Sequence, residues 1–373
     1  MKTKNKKKDG IIMALNSDIA YKFGCGRYVQ GKDALHDCLA EEINRLGKKP
    51  LFVMGYNGAK AAEAQIKEAL DKDNVSYETL LFHSSPCFEN ARDIVAYARE
   101  KDCLLLCGVG GGVLMDTVKL AAEEGGLSLM QIPTSSATCA ASTPLSVLYD
   151  RVDGHHLGSY KTHREADCVI ADTGILASQP KRLFFAGVLD SMAKSIEILH
   201  HLEKDGASPM GLDMAYVLAK TMDRDYETLL PEAEQALDKH CPNDAFEKLV
   251  FDAIAMTGIV SGISKGSNQC AIAHKFYEAT RSSFYYEAQN ALHGELVAMG
   301  LLVQLAYGGK DPSAIRCRLI DMGLPTRLSE IHVPVEEHTL TVYTDKICRS
   351  SAINDDSPAS RAAVRQALMA IYA

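Results

Sequence analysis

The chain of 373 residues is longer than the roughly 100–200 residues of a typical domain, so two domains with separate cores are expected. Its formal net charge of -8 argues against a broad nucleic-acid-binding surface, and no apolar stretch reaches the roughly 18 residues that would span a membrane. Hydrophobic residues make up 47% of the chain and charged residues 24%, as in ordinary globular proteins.

The first ten residues, MKTKNKKKDG, are rich in lysine and lack the apolar core of a signal peptide. We predict that residues 1–10 form a solvated, disordered tail, and a nucleic-acid or membrane arm is the alternative. The eleven cysteines are scattered without a CxxC pair, which is typical of reduced thiols. These features predict a cytoplasmic protein.

Short apolar runs alternate with helical patterns between about residues 50 and 173. The runs PLFVMGY, SYETLLF and CLLLC are each followed by a helical pattern, and LSLMQIPT and DCVIADT complete the series. Strands that alternate with helices of this length predict βαβ units around a parallel sheet. We therefore predict an α/β domain over residues 1–173, with its ligand site at the carboxyl ends of the strands.

Beyond residue 173 the strand-like runs stop. Long stretches such as AFEKLVFDAIAMTGIVSGI and AQNALHGELVAMGLLVQLA have apolar residues at helical spacing. They predict an all-helical second domain over residues 174–373. Because ligand pockets favour domain junctions, we expect a catalytic cleft between the two domains.

The stretch GVGGGVLMDTVK, residues 108–119, follows the apolar run CLLLC and enters a predicted helix. It lacks the third glycine of a dinucleotide fingerprint, where Val113 stands, and the lysine of a Walker A loop. A backbone without Cβ atoms at Gly110, Gly111 and Gly112 can approach a pyrophosphate closely, and the amides of the next helical turn favour its charge. A tight turn that needs glycine only for its dihedral angles is the alternative.

Asp116 and Lys119 follow this glycine run three residues apart, on one face of the predicted helix. The carboxylate could accept hydrogen bonds from ribose hydroxyls or amides, and the ammonium could face a phosphate. A simple surface ion pair is the alternative.

The pattern GGGxxxDxxK, followed by PTSSATCAASTPLSVLY, resembles the iron-containing alcohol dehydrogenase superfamily and its glycerol dehydrogenase branch in particular. The similarity extends from GCGRYVQG near the N-terminus to HGELVAMG. It implies a dehydroquinate synthase-like fold: an α/β N-terminal domain with a Rossmann-like parallel sheet, an all-α C-terminal domain, and bound NAD or NADP. The implied cofactor contacts are Gly110, Gly111, Gly112, Val113, Asp116, Lys119, Thr134, Thr143, Leu145 and Tyr149.

An enzyme of this kind must stabilise an alkoxide while hydride leaves, which a divalent metal with an open coordination position can do. The residues alone do not reveal which of the twelve histidines bind it. The resemblance implies the ligands Asp190 in AGVLDSMAK, His274 in CAIAHKF and His293 in HGELVAMG, all in the helical domain. Two histidines and one carboxylate suit zinc and iron equally, so both metals stay open.

The chain departs from the family pattern at four positions. Leu189 replaces the glycine before the aspartate ligand, and Tyr277 stands where the family often has a second histidine. Cys139 replaces an aspartate that contacts the polyol in glycerol dehydrogenases, so the substrate contact loses a charge that would repel anions. Tyr56 replaces an acidic residue that would bind the adenosine ribose, which leaves NADPH open beside NADH.

These features predict a metal-dependent NAD(P) oxidoreductase that interconverts a small alcohol, a polyol or a 2-hydroxy acid, with its carbonyl compound. The stretch ATCAASTPLSV resembles the hydroxycarboxylate dehydrogenases, which reduce 2-oxo acids. A dehydroquinate synthase-like lyase and a metal-free nucleotide-binding relative are the alternatives. The expected partner is a small-molecule substrate, without nucleic acid or membrane, and the resemblance implies a homo-oligomer.

Overall fold

The fold was analysed in a computed structural model, which describes residues 21–47, 49–152, 154–205 and 210–372. The tail expected over residues 1–10 lies outside these ranges. Six strands form a parallel sheet: β1 (Tyr28–Gly31), β2 (Pro50–Met54), β3 (Glu78–Leu81), β4 (Leu105–Gly110), β5 (Ser128–Pro133) and β8 (Cys168–Asp172). Their order across the sheet is β1-β8-β5-β4-β2-β3. The predicted parallel sheet is confirmed.

Four helices lie between the first strands: α1 (Ala34–Leu46), α2 (Tyr56–Lys72), α3 (Phe88–Glu100) and α4 (Gly112–Gly125). Alternate side chains of β2 enter two different cores, because successive residues of a strand point to opposite faces. Leu51 and Val53 pack with α3 and α4, whereas Phe52 and Met54 pack with α1 and α2. The sheet is thus covered on both faces, as its continuous apolar runs require.

The segment after β5 forms a feature that the sequence patterns do not predict. Strands β6 (Leu145–Tyr149) and β7 (His156–Lys161) pair antiparallel in a separate two-stranded sheet. The short edge strand β1 is likewise not predicted. The hairpin lies against α4 and carries two of the expected cofactor contacts, Leu145 and Tyr149.

Helices follow β8, and no strand occurs after it within the described residues. They are α5 (Thr173–Leu176), α6 (Lys181–Asp205), α7 (Leu212–Lys239), α8 (Asp244–Phe251), α9 (Thr257–Ile263), α10 (Ile272–Ser283), α11 (His293–Tyr307), α12 (Ser313–Asp321), α13 (Glu337–Cys348) and α14 (Pro358–Tyr372). A π-helical turn (Asp252–Met256) joins α8 to α9, and 3₁₀ turns cover Ser267–Gln269 and Leu328–Ile331. The helical second half is confirmed as well.

Helix α11 is the centre of this half: it packs against α6, α10 and α14, and its side chains from Leu296 to Val303 are buried. In the described part of the chain, every helix is too short or too polar to cross a membrane.

Candidate active site

The glycine run lies where β4 passes into α4, at the carboxyl end of the sheet. Gly110, Gly111 and Gly112 all lack a positive φ, so a dihedral requirement does not explain them. A Cβ on Gly110 would lie 2.8 Å from Leu114 Cδ2, and one on Gly112 would lie 2.8 Å from Thr138 Oγ1. The glycines therefore permit close packing around the first turn of α4, whose amides favour an anion.

Asp116 and Lys119 form a buried ion pair, with side chains 9% and 3% exposed and 2.9 Å between Oδ1 and Nζ. Lys119 Nζ also donates to the carbonyl oxygens of Thr143, at 3.0 Å, and Leu145. Asp116 Oδ2 accepts from the amide of Val147 at 3.0 Å, and burial raises the pKa of this carboxyl. Because both side chains are buried, the pair is not a surface ion pair. Its hydrogen bonds to Leu145 and Val147 connect α4 to the hairpin. A direct contact with the cofactor stays a prediction for both residues.

The other expected cofactor contacts lie around the same loop and hairpin. Val113 is 56% exposed on the first turn of α4, and the Thr134 amide donates to Gly110 O at 2.9 Å. Tyr149 lies at the end of β6, where its amide donates to Pro86 O at 2.9 Å. Their contacts with a nucleotide remain predictions.

The three expected metal ligands come together from three helices. Asp190 lies within α6, His274 within α10, and His293 is the first residue of α11. Asp190 Oδ1 is 3.4 Å from Nε2 of each histidine, and one ligand atom from each residue lies within 4.8 Å of the others. Burial acts to raise the pKa of Asp190, but nearby Lys194 and the two histidines outweigh it and hold that pKa well below its usual range. A carboxylate and two imidazoles in this arrangement fit a divalent metal.

Glu197 holds His274 in place. Its Oε1 accepts from the backbone amides of Ala271, at 2.6 Å, and His274, at 2.9 Å, while its Oε2 pairs with His274 Nδ1. A carboxylate on one imidazole nitrogen orients the ring and leaves the other nitrogen for a metal. The carboxyl is buried, which acts to raise its pKa, but His274 lowers it overall. Glu197 therefore presents Nε2 of His274 to the site.

Lys194 is a second group that the site contains and the sequence prediction omits. Its side chain is 3% exposed, and its Nζ lies 3.0 Å from both Asp190 Oδ1 and His274 Nε2. Asp190, Lys194 and Glu197 are spaced i, i+4 and i+7 along α6, so they share one face of that helix. This spacing is a signal in the sequence that could have identified both residues.

The start of α11 is fixed by the residues that follow His293. Glu295 accepts from the Leu292 amide at 2.8 Å and pairs with both Nε and Nη2 of Arg182. A Cβ on Gly294 would lie 1.8 Å from the carbonyl oxygen of Ala186, so only glycine allows α11 to approach α6 this closely. The motif HGE thus places His293 beside Asp190.

The sequence was compared with protein families and with individual proteins of known sequence. The sequence profile of the iron-containing alcohol dehydrogenase family matches residues 25–173. The chain is 30% identical over 307 residues to hydroxycarboxylate dehydrogenase A of Escherichia coli, with 81% of each chain covered. It is 27% identical over 348 residues to glycolaldehyde reductase of Halobacterium salinarum, covering 92% of this chain and 94% of that one.

The chain belongs to the iron-containing alcohol dehydrogenase family. Its fold matches the crystal structure of a probable glycerol dehydrogenase from Sinorhizobium meliloti, with a TM-score of 0.80, 22% identity, and coverage of 94% and 97% of the two chains. The prediction of a glycerol dehydrogenase-like oxidoreductase is therefore confirmed over the lyase alternative. Enzymes of this family use NAD(P) and a divalent metal, and the chain acts on a small molecule.

At two positions where the chain departs from the family pattern, the three expected metal ligands still lie together. Leu189 is fully buried in the main hydrophobic core, while Asp190, the next residue, still reaches both histidines. Tyr277 packs edge-on against His293, with ring centroids 4.3 Å apart. Where many members of the family have a second histidine, this chain has the tyrosine ring, which packs against His293.

Cys139 and Tyr56 mark the other two departures. Burial raises the pKa of the Cys139 thiol to about 12, with Asp190 adding to the effect and Lys194 opposing it. The Cys139 thiol is therefore neutral, and it interacts electrostatically with both Asp190 and Asp116. Tyr56 is the first residue of α2, which begins two residues after the last residue of β2, and it is 67% exposed. The position therefore presents a phenol ring and not a carboxylate.

Proposed function

We propose that the chain is a metal-dependent NAD(P) dehydrogenase that interconverts a small alcohol and its carbonyl compound. The observation that carries the proposal is the convergence of Asp190, His274 and His293, with Glu197 behind His274. In the direction of reduction, NAD(P)H held at the glycine loop would supply a hydride to the carbonyl carbon, and solvent would supply the proton that completes the alcohol. Oxidation of the alcohol is the reverse.

Asp190, His274 and His293 would hold the metal, and the donor set suits zinc or iron. A divalent metal there supplies Lewis-acid polarisation of the alcohol or carbonyl oxygen. Glu197 keeps Nδ1 of His274 occupied, so that Nε2 faces the site. Buried Asp190 remains ionised, because Lys194 and the histidines lower its pKa.

The proposed cofactor site is the glycine loop from Gly110 to Gly112, together with Val113. The first turn of α4 would receive the pyrophosphate, since the N-terminal end of a helix favours an anion. Asp116 and Lys119 hold the hairpin against α4 and thereby shape this site. Without an acidic residue at Tyr56, we propose that the chain accepts NADPH as well as NADH.

The proposed substrate is a small polyol or 2-hydroxy acid, with Cys139 in contact with it. Two relatives support this range by their names, which concern glycolaldehyde and hydroxycarboxylates. We also propose that the chain forms a homo-oligomer in the cytoplasm.

The direct test is a turnover screen of the purified protein with NADH and NADPH in parallel. It uses polyols and 2-hydroxy acids for oxidation, and 2-oxo acids and small aldehydes for reduction, with zinc, manganese or iron added. The expected result is a change in nicotinamide absorbance with at least one pair, lost on chelation. Absence of turnover across the panel would contradict the proposal, and turnover that survives chelation would contradict the metal's role.

A further inference from the structure

A series of polar aromatic side chains leads from the proposed metal ligands to the hairpin of β6 and β7. The ring of Tyr277 packs edge-on against that of His293, with 4.3 Å between centroids, and its centroid lies 6.0 Å from that of His156. Tyr149 and His156 face each other across the hairpin, with ring centroids 5.8 Å apart. Burial raises the pKa of Tyr149, and a hydrogen bond with Tyr277 opposes that rise. Tyr277, Tyr149 and His156 are therefore in mutual contact.

Exposure to solvent increases along this series. Tyr277 is buried, whereas Tyr149 and His156 are partly exposed. The hydrogen bonds among the described residues leave the ring nitrogens of His156 to water or to a neighbouring hydroxyl. His156 thus has one side towards the interior of the site and access to solvent on the other.

The other ionisable side chains around the ligands are enclosed. Glu197 and Lys194 are buried against the ligand side chains, and Asp116 is buried in its pair with Lys119. These groups lack the contact with water that a proton carrier needs, and His156 has that contact.

The surroundings of His156 favour a neutral imidazole near pH 7. Burial lowers the pKa of His156, while the nearby charges act in both directions: Glu278 raises this pKa, and the cations of α10 lower it. The groups that face the ring are Tyr149 of the hairpin, Lys275, Tyr277, Glu278 and Arg281 of α10, and His293 of α11. A neutral imidazole can accept a proton when an alcohol is oxidised, and its protonated form can return one when a carbonyl is reduced.

We propose that His156 exchanges the proton of the reaction with solvent, through the hydroxyl groups of Tyr149 and Tyr277. This inference rests on the proposed dehydrogenase function and adds the route of its proton. In oxidation, the alcohol gives its C–H hydride to NAD(P)+ and its O–H proton to the Tyr277 hydroxyl. Each phenol passes one proton on as it receives one, so His156 becomes protonated and then releases the proton to water. Reduction of the carbonyl compound is the reverse.

The test compares the wild type with His156→Phe, which keeps an aromatic ring against Tyr149 and removes both nitrogens. Oxidation of glycerol, ethylene glycol and 2-hydroxybutanoate is followed with NAD+ and NADP+, on both sides of about pH 6.5, the ordinary pKa of histidine. The wild-type rate should fall as the pH drops through the lowered pKa of His156, because the protonated ring accepts no further proton. In His156→Phe this fall should be absent, with kcat about 100-fold lower and KM within about twofold of the wild type.

Chemical rescue separates proton exchange from a structural role. Added imidazole should restore part of the activity of His156→Ala, which leaves space for it, but not that of His156→Phe. His155→Ala is the matched control, because the His155 ring packs against Tyr285 and Tyr286 instead. It should keep the wild-type kcat and pH profile.

Tyr277→Phe tests the route itself, since it keeps the ring beside His293 and removes the hydroxyl. It should lower kcat about as much as His156→Phe, and the double variant should be no slower than either single variant, because both interrupt one path. Losses that multiply in the double variant would contradict the route. Metal content is measured by elemental analysis and equalised in all variants, and if thermal unfolding shows that His156→Phe does not fold, His156→Leu replaces it.

A wild-type kcat and pH profile in His156→Phe would overturn the inference, as would a loss of kcat in His156→Ala that imidazole does not reduce. In both cases the dehydrogenase function would still stand. If the wild type turns over no alcohol or carbonyl compound with either nicotinamide cofactor, the proposed function itself fails.

Discussion

Glu197 fixes both the position and the ring orientation of His274. It accepts hydrogen bonds from two backbone amides at the start of α10 and from Nδ1 of His274. The same carboxylate therefore fixes both the helix that carries His274 and the orientation of the ring. Its effect on a metal would be indirect, through the basicity and direction of Nε2.

Replacing Glu197 with Gln should weaken metal binding by about 10- to 100-fold, the usual effect of removing a carboxylate behind a histidine ligand. Equilibrium dialysis against buffered zinc, followed by elemental analysis, measures the dissociation constant. Glu278→Gln is the control, since Glu278 lies on the same helix and pairs only with Lys275 in the ion pairs described. An unchanged dissociation constant in the Glu197 variant would show that the carboxylate does not orient the ligand.

Tyr56 provides a residue-scale test of cofactor choice. Tyr56→Asp places a carboxylate after β2, where it would accept from the ribose 2′-hydroxyl of NADH and repel the 2′-phosphate of NADPH. The KM for NADPH should rise several-fold while that for NADH stays the same or falls. Because Tyr56 is mostly exposed, the change should not disturb folding. Tyr56→Phe should keep the wild-type ratio, and an equal shift in both KM values would refute the placement of the ribose here.

At the scale of elements, the contact between α6 and α11 determines whether Asp190 and His293 meet. Gly294 is the point of closest approach, where a Cβ would lie 1.8 Å from the backbone oxygen of Ala186. A backbone atom cannot rotate away as a side chain can, so a larger residue must push the helices apart. The position of His293 therefore depends on the residue that follows it.

Gly294→Ala should lower the free energy of unfolding by about 1–3 kcal/mol, as overpacking of a core usually does. It should also weaken metal binding, because His293 moves with the start of α11. Denaturant unfolding and metal dialysis measure the two effects. Gly308→Ala, just after the other end of α11, is the control, since the nearest atoms to its Cβ would be 3.6 Å away. Equal stability of the two variants would contradict the close contact.

The sequence predicts best those strands that are buried on both faces, because their burial appears directly as a continuous run of apolar residues. Strands β2, β4 and β8 are apolar runs buried on both faces, and the glycine run marks the turn from β4 to α4. Strand β1 has only four half-buried residues at a sheet edge, and the hairpin of β6 and β7 is held by contacts from Lys119. Such elements depend on distant partners, which a local pattern does not contain.

In the candidate site, too, some residues can be predicted from the sequence and others depend on contacts between distant parts of the chain. The resemblance to the family led to Asp190, His274 and His293, which the structure brings together. The family pattern does not point to Lys194 and Glu197, although their spacing from Asp190 predicts that all three share one face of α6. The hydrogen bond between Glu197 and the amide of Ala271 cannot be predicted from the sequence, because these residues lie 74 positions apart and come together only in the folded chain.

At the scale of the whole molecule, the sheet-bearing part and the helical part are locked together beside the site. A Cβ on Gly187 of α6 would lie 1.8 Å from the backbone oxygen of Ser136, in the segment between β5 and β6. Thr143 Oγ1 donates to Ser261 Oγ at 2.9 Å across the same boundary. The glycine loop and the proposed metal ligands are thus held beside each other, as hydride transfer between a cofactor on the loop and a substrate at the metal ligands would require.

Metal content and turnover, measured on one preparation before and after chelation, test directly whether the enzyme depends on a metal. We predict about one divalent metal per chain in the wild type. NAD(P)-linked turnover should be lost when the metal is removed and restored when zinc or iron is returned. Asp190→Asn should retain little metal and little activity under the same treatment. Full turnover in wild-type protein shown by elemental analysis to be free of metal would contradict a metal-dependent reaction at this site.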